Sequence, residues 1–64
     1  MIKEIIKAQD YLHRIYNEEE YKRLIETMIR RTENNIVLMV KIANDKELPA
    51  DIRLIAIACM GNKG

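Results

Sequence analysis

The most apolar part of the chain is LPADIRLIAIACMG, residues 48–61. Between Ile52 and Met60 only Arg53 is polar. On a helix, at about 100° per residue, the apolar side chains of this stretch point in nearly every direction. A helix that is apolar nearly all round must be covered nearly all round. We expect the other helices of so small a chain not to provide that cover alone.

Residues at both ends of this stretch predict where its helix begins and ends. Pro49 disfavours helical geometry at Leu48 and suits the first position of a helix. Asp51 lies in the first turn, where the helix dipole favours negative charge. Gly61 is typical of the residue that follows a helix. The sequence therefore predicts a helix over residues 49–60.

The length of the chain limits how it can be stabilised. Its 64 residues allow one domain at most, residues 1–64. A domain of this size buries only about 60% of the surface exposed by the unfolded chain, and disulfides, metals or oligomerisation usually add stability. Cys59 is the only cysteine, and no Cys and His cluster predicts a zinc site. We therefore expect a homo-oligomer, with a dimer favoured, and no cofactor.

Two further stretches have the spacing of amphipathic helices. Apolar residues recur every three or four positions over residues 2–16. Asn17 and Glu20 have the spacing of a capping box, which predicts a second helix from residue 18. An apolar stripe continues to residue 43 and comprises Ile25, Ile29, Thr32, Ile36, Met39 and Ala43. The sequence thus predicts an all-α fold of three helices, at about residues 2–16, 18–43 and 49–60.

The continuity of the second helix is the open question in this prediction. Residues 30–35, RRTENN, contain Thr and Asn, whose side chains compete for backbone hydrogen bonds. A break near Asn34 is therefore the alternative to one long helix. We favour the continuous helix, because the apolar stripe keeps its register through Thr32.

Residues 36–61 resemble one helix pair of the HEAT type. The resemblance lies in an apolar helix that ends in Ala43-Asn44-Asp45, followed by Asp51-Ile52-Arg53, then Ala56 and Met60-Gly61. HEAT pairs stack into solenoids that bind proteins, and such arrays generally need three or more repeats. Residues 1–31 show no second copy. The resemblance implies protein binding in preference to catalysis.

Few residues suggest chemistry. Cys59 and His13 are the only Cys and His, but Cys59 lies on the most apolar face, where burial makes a thiol inert. Asp10 and His13 share a helix face, as metal ligands can, but such sites need several motifs that converge. We therefore expect no enzyme activity, no catalytic residue and no metal site.

The net charge of +1 predicts a mixed-sign surface. The second helix could still carry a basic ridge for nucleic acid, comprising Lys22, Arg23, Arg30 and Arg31. Nucleic acid is not the favoured partner, because binding would need a larger excess of positive charge. The apolar run is too short to span a membrane, which needs about 20 residues. With no export signal and a free cysteine, we expect a cytoplasmic protein.

These features favour a small, non-enzymatic regulator or adaptor that binds another protein and associates with itself. The alternative is a small nucleic-acid-binding regulator that uses the basic ridge. The predicted interface residues for self-association or partner binding are Ile25, Ile29, Ile36, Met39, Leu54 and Ile57.

Overall fold

The structure, a computed structural model, describes residues 2–61. Within these residues the chain forms four α-helices and no strand. The helices are α1 (Ile2–Ile15), α2 (Glu18–Thr32), α3 (Ile36–Asn44) and α4 (Ala50–Met60). The all-α prediction is confirmed. The predicted number of three helices is wrong, because the segment 18–43 is divided into α2 and α3.

The predicted capping box lies at the start of α2. The Glu20 backbone N–H donates to Asn17 Oδ1 at 2.8 Å, and the Asn17 N–H donates to Glu20 Oε1 at 3.3 Å. Three glutamates in the first turn add negative charge at the positive end of the helix dipole. The turn between α1 and α2 is therefore specified by local sequence.

The break between α2 and α3 corrects the prediction of one continuous helix. Glu33 and Asn34 both adopt left-handed backbone conformations, with φ of 53° and 58°. The Asn34 N–H donates to the Ile29 carbonyl at 2.9 Å and the Glu33 N–H donates to the Arg30 carbonyl at 3.2 Å. This bonding pattern is a Schellman motif, which ends the helix. Asn35 then caps α3, because its Oδ1 accepts from the Val37 N–H at 2.9 Å.

The break also changes which residues of the apolar stripe are buried. Thr32 is 1% exposed, and its hydroxyl donates to the Met28 carbonyl at 2.8 Å. Met39 on α3 is buried, at 1% exposed, whereas Ile36 and Val37 are 61% and 63% exposed. The stripe is therefore buried at Thr32, before the break, and at Met39, after it. Between them, Ile36 in the first turn of α3 is exposed.

The most apolar helix, α4, lies among the other helices of its own chain. It packs against α1, α2 and α3, whereas α1 and α3 make no close contact among the described residues. Ile55, Ala56, Ala58 and Cys59 are all buried, at 7% exposed or less. The chain's own helices thus cover one side of α4, whereas Ile52 remains 37% exposed. The faces that remain partly open carry Leu54 and Ile57.

The end of α4 lies directly against α1. The Gln9 side-chain amide donates to the Ala58 carbonyl at 3.2 Å, which satisfies a carbonyl of the last turn. A Cβ atom on Gly61 would lie 2.5 Å from Ile5 Cγ2 and 2.8 Å from Gln9 Nε2. Gly61 has a φ of −92°, so glycine is favoured here by the close approach of α1 and not by a left-handed turn.

We expect Glu33→Gly to stabilise the protein by about 0.5–1 kcal/mol. Left-handed geometry costs a residue with a Cβ about 1–2 kcal/mol, and the greater freedom of glycine in the unfolded chain offsets part of the gain. The measurement is the free energy of unfolding in urea. The matched control is Glu26→Gly within α2, which should destabilise the chain by about 1 kcal/mol.

We expect Gly61→Ala to destabilise the protein by about 1–3 kcal/mol, the usual range for overpacking, because the new methyl group would lie too close to Ile5 Cγ2 and Gln9 Nε2. Thermal unfolding followed by circular dichroism measures the change. The double variant Ile5→Ala/Gly61→Ala should lose less than the sum of the two single variants, because removing Ile5 Cγ2, the atom nearest to the new methyl group, makes room for it. Strict additivity would contradict the steric explanation.

Candidate protein-binding groove

An open groove of about 530 Å³ lies between α1 and α4. Its lining combines apolar side chains with charged ones of both signs. The apolar residues are Ala8, Tyr11, Leu54 and Ile57, and the charged residues are Glu4, Lys7, Asp10 and Arg14. An apolar concave surface with polar groups at its border is typical of sites that bind other molecules.

Helix periodicity brings these side chains together. The lining residues of α1 recur three or four positions apart, which places them on one face of the helix. On α4, Leu54 and Ile57 are three positions apart and face the same groove. Ala8 is 1% exposed, whereas Tyr11 is 48% exposed. Tyr11 therefore offers the largest exposed apolar side chain of the groove.

The predicted interface residues lie in three different places. Ile25 and Met39 belong to the core of the chain itself, at 3% and 1% exposed, so a second copy is not needed to cover them. Ile29 is partly buried against this core, and Ile36 is exposed on α3. Only the half-buried pair Leu54 and Ile57 line the groove.

Sequence reasoning missed the contribution of α1 to this groove. The interface residues predicted from the sequence were all apolar, whereas most of the α1 residues that line the groove are charged. The available signal was the order of charges on one face of α1: Glu4, Lys7, Asp10 and Arg14 alternate in sign. Such alternation also supports an isolated helix, so it does not identify a site by itself.

His13 lies at a second groove, between α1 and α2. Its ring stacks on Tyr21, with centroids 3.8 Å apart and an interplanar angle of 26°. Glu18, Lys22 and Glu26 line this groove too. Asp10 instead lines the groove between α1 and α4. No group of three or more His, Cys, Asp or Glu side chains in residues 2–61 is arranged to hold a metal ion.

Cys59 is buried where it cannot readily ionise. Its side chain is 2% exposed, and the thiol donates to the Ile25 carbonyl, with Sγ 3.6 Å from the oxygen. Burial raises the pKa of Cys59 from 9.0 to about 11. Burial also raises the pKa of Tyr21, with a smaller contribution from the negative charge of a Cys59 thiolate. The geometry suits a packing residue and opposes a role as a nucleophile.

The side chains of the predicted basic ridge share their surface with acidic ones. Lys22, Arg23 and Arg30 line a shallow depression on α2 together with Glu19 and Glu26. Arg31 is exposed on the same helix. The local charge is therefore mixed, whereas nucleic-acid surfaces carry clustered positive charge.

Comparison with known proteins finds no family model, curated protein or solved structure that matches the chain. The similarity of residues 36–61 to a HEAT-type pair therefore stays a prediction, although α3 and α4 do pack against each other. Among the helices of residues 2–61, none has the length and apolar character needed to cross a membrane.

We expect Cys59 to react slowly with iodoacetamide at pH 8 in the folded protein and rapidly in denaturant, because burial disfavours the thiolate. Alkylation followed by mass spectrometry measures both rates. Rapid modification of the native protein would contradict the buried thiol.

The ionisation of the Cys59 thiol also makes the free energy of unfolding depend on pH. The folded pKa of Cys59 exceeds the ordinary value, so the unfolded chain binds fewer protons at alkaline pH. This contribution to the free energy of unfolding is fully present below pH 9.0 and should be lost as pH rises to about 11. In the variant Cys59→Ala, the free energy of unfolding, measured in urea at each pH, should fall less steeply over the same pH range. The part of the fall that comes from the raised pKa of Tyr21 should remain.

Proposed function

We propose that this protein is a small, non-enzymatic regulator or adaptor that acts by protein–protein binding and associates with itself. The observation that carries the proposal is the groove between α1 and α4, where the exposed ring of Tyr11 lies beside Leu54 and Ile57. Tyrosine is enriched among the residues that contribute most to protein interfaces, because it buries a large apolar area and retains a polar tip.

The remaining features agree with binding in preference to catalysis. The Cys59 thiol is buried, and the His13 ring is stacked on Tyr21. The near balance of 11 basic and 10 acidic residues gives a mixed surface. A free cysteine fits the reducing cytoplasm, where we propose that the protein acts.

Self-association through the groove also fits the size of the chain. Small domains gain stability from oligomerisation when their own core is limited. Tyr11 is 48% exposed and Leu54 and Ile57 are half-buried, so a second protein surface could cover additional apolar area. Such burial would add about 25 cal/mol for each Å² removed from water.

The test is sedimentation equilibrium of the wild-type chain and of two variants that leave its net charge unchanged. We expect the wild type to form dimers at about 100 μM, and Tyr11→Gln to raise the dimer Kd about tenfold or more, since interface tyrosines contribute about 2 kcal/mol when central. The matched control is Val37→Gln, which removes an apolar residue outside the groove that is more exposed than Tyr11, at 63% against 48%.

The control should leave the dimer unchanged. A wild-type chain that remains monomeric would refute self-association. An effect of Val37→Gln as large as that of Tyr11→Gln would move the binding surface away from the groove and towards the first turn of α3.

A further inference from the structure

The charged residues that border the groove follow a pattern with a specific symmetry. In chain order they are Glu4, Lys7, Asp10 and Arg14, so their signs alternate, beginning negative and ending positive. Read in the reverse direction, each sign is replaced by its opposite. Two copies of this face therefore attract when they lie antiparallel and repel when they lie parallel.

We propose that the groove binds the same groove of a second copy, with the two α1 helices antiparallel across a two-fold axis. The proposal rests on the self-association proposed above and adds its orientation and its pairing. Glu4 of each copy faces Arg14 of the other, and Lys7 of each copy faces Asp10 of the other. Two-fold contacts are self-complementary by nature, since each contact occurs twice.

The spacing of the residues allows all four pairs to form together. A two-fold axis pairs two residues when it passes midway between them along the helix. For residues 4 and 14 this midpoint is position 9, and for residues 7 and 10 it is position 8.5. At about 1.5 Å per residue, these positions differ by about 0.75 Å along the helix, which flexible Lys, Arg and Glu side chains can accommodate.

The apolar residues are placed to suit this arrangement. Ala8, near the position of the axis, is 1% exposed and belongs to the core of its own chain, so its neighbours on the groove make the contact with the other copy. Tyr11 lies beyond it on the exposed side and is 48% exposed. In the paired form, its ring would be covered by the other copy, while Leu54 and Ile57 provide the apolar wall from α4.

Charge complementarity favours a second copy over an unrelated helix as the occupant. An acidic or a basic partner would meet two like charges among the four bordering residues. A partner whose charges alternate in the opposite order would place an opposite charge against each of the four bordering residues. An antiparallel α1 has this order of charges at the same spacing. Opposite charges across an interface set orientation and suppress wrong pairings.

The test uses charge reversals at the two inner positions, which lie away from the helix ends where the dipole is strongest. The variants are Lys7→Glu, Asp10→Lys and the double variant Lys7→Glu/Asp10→Lys. Each single reversal places like charges opposite each other twice in an antiparallel dimer, whereas the double variant restores opposite charges. Lys46→Glu, in the exposed turn after α3, makes the same change in net charge as Lys7→Glu but outside the groove.

Sedimentation equilibrium at low ionic strength should show the dimer Kd raised about tenfold by each single reversal, a factor that corresponds to about 1.4 kcal/mol. The double variant should return to within about threefold of the wild type, since surface charge pairs are not strictly additive. Lys46→Glu should leave the Kd unchanged. Circular dichroism of each variant separates a loss of folding from a loss of pairing.

Three results would overturn the antiparallel pairing. A dimer that Tyr11→Gln weakens, but that both single reversals leave intact, would refute the pairing while the proposed self-association stands. A double variant that dimerises as poorly as the single variants would refute the two-fold register. A wild-type chain that stays monomeric would refute both the pairing and the self-association.

Discussion

The structure depends on the need to cover α4 on nearly every side. Three helices provide much of this cover, since α1, α2 and α3 each pack on it, while Leu54 and Ile57 stay half-buried. This requirement explains why the chain must reverse after Thr32. A continuous helix over residues 18–43 would be roughly 40 Å long at about 1.5 Å per residue, and one straight rod cannot follow α4 on two of its sides. The turn at Glu33 and Asn34 allows α2 and α3 to cover different faces.

Local signals in the sequence predicted the local structure well. The cap formed by Asn17 and Glu20 was predictable because all of its atoms lie within four residues. The break after Thr32 was only the less favoured alternative. When a helix ends in a left-handed residue, that residue is usually glycine, but here Glu33 takes that conformation. Thr32 also favoured the prediction of a continuous helix, because it is buried and extends the apolar stripe as far as the turn.

The candidate groove was predictable only on the side of α4. The apolar pair Leu54 and Ile57 stood out because the helices of one small chain were not expected to cover every face of α4. The partner face on α1 depends on how α1 is rotated against α4, which no local spacing determines. Long-range contacts of Gln9 and Gly61 hold that rotation. Ile2, Ile6 and Ile15 remain exposed, although they contribute to the apolar spacing of residues 2–16.

The hydrogen bond from Gln9 to the Ala58 carbonyl joins groups 49 positions apart in sequence. During synthesis, α1, α2 and α3 leave the ribosome before the helix on which all three pack. The apolar faces of these three helices therefore have no α4 to pack against until residues 50–61 have been made. Contacts distant in sequence slow folding, and apolar surface that is exposed before such contacts form makes a chain prone to aggregate; in this chain, the contacts with α4 are the ones that cover that surface.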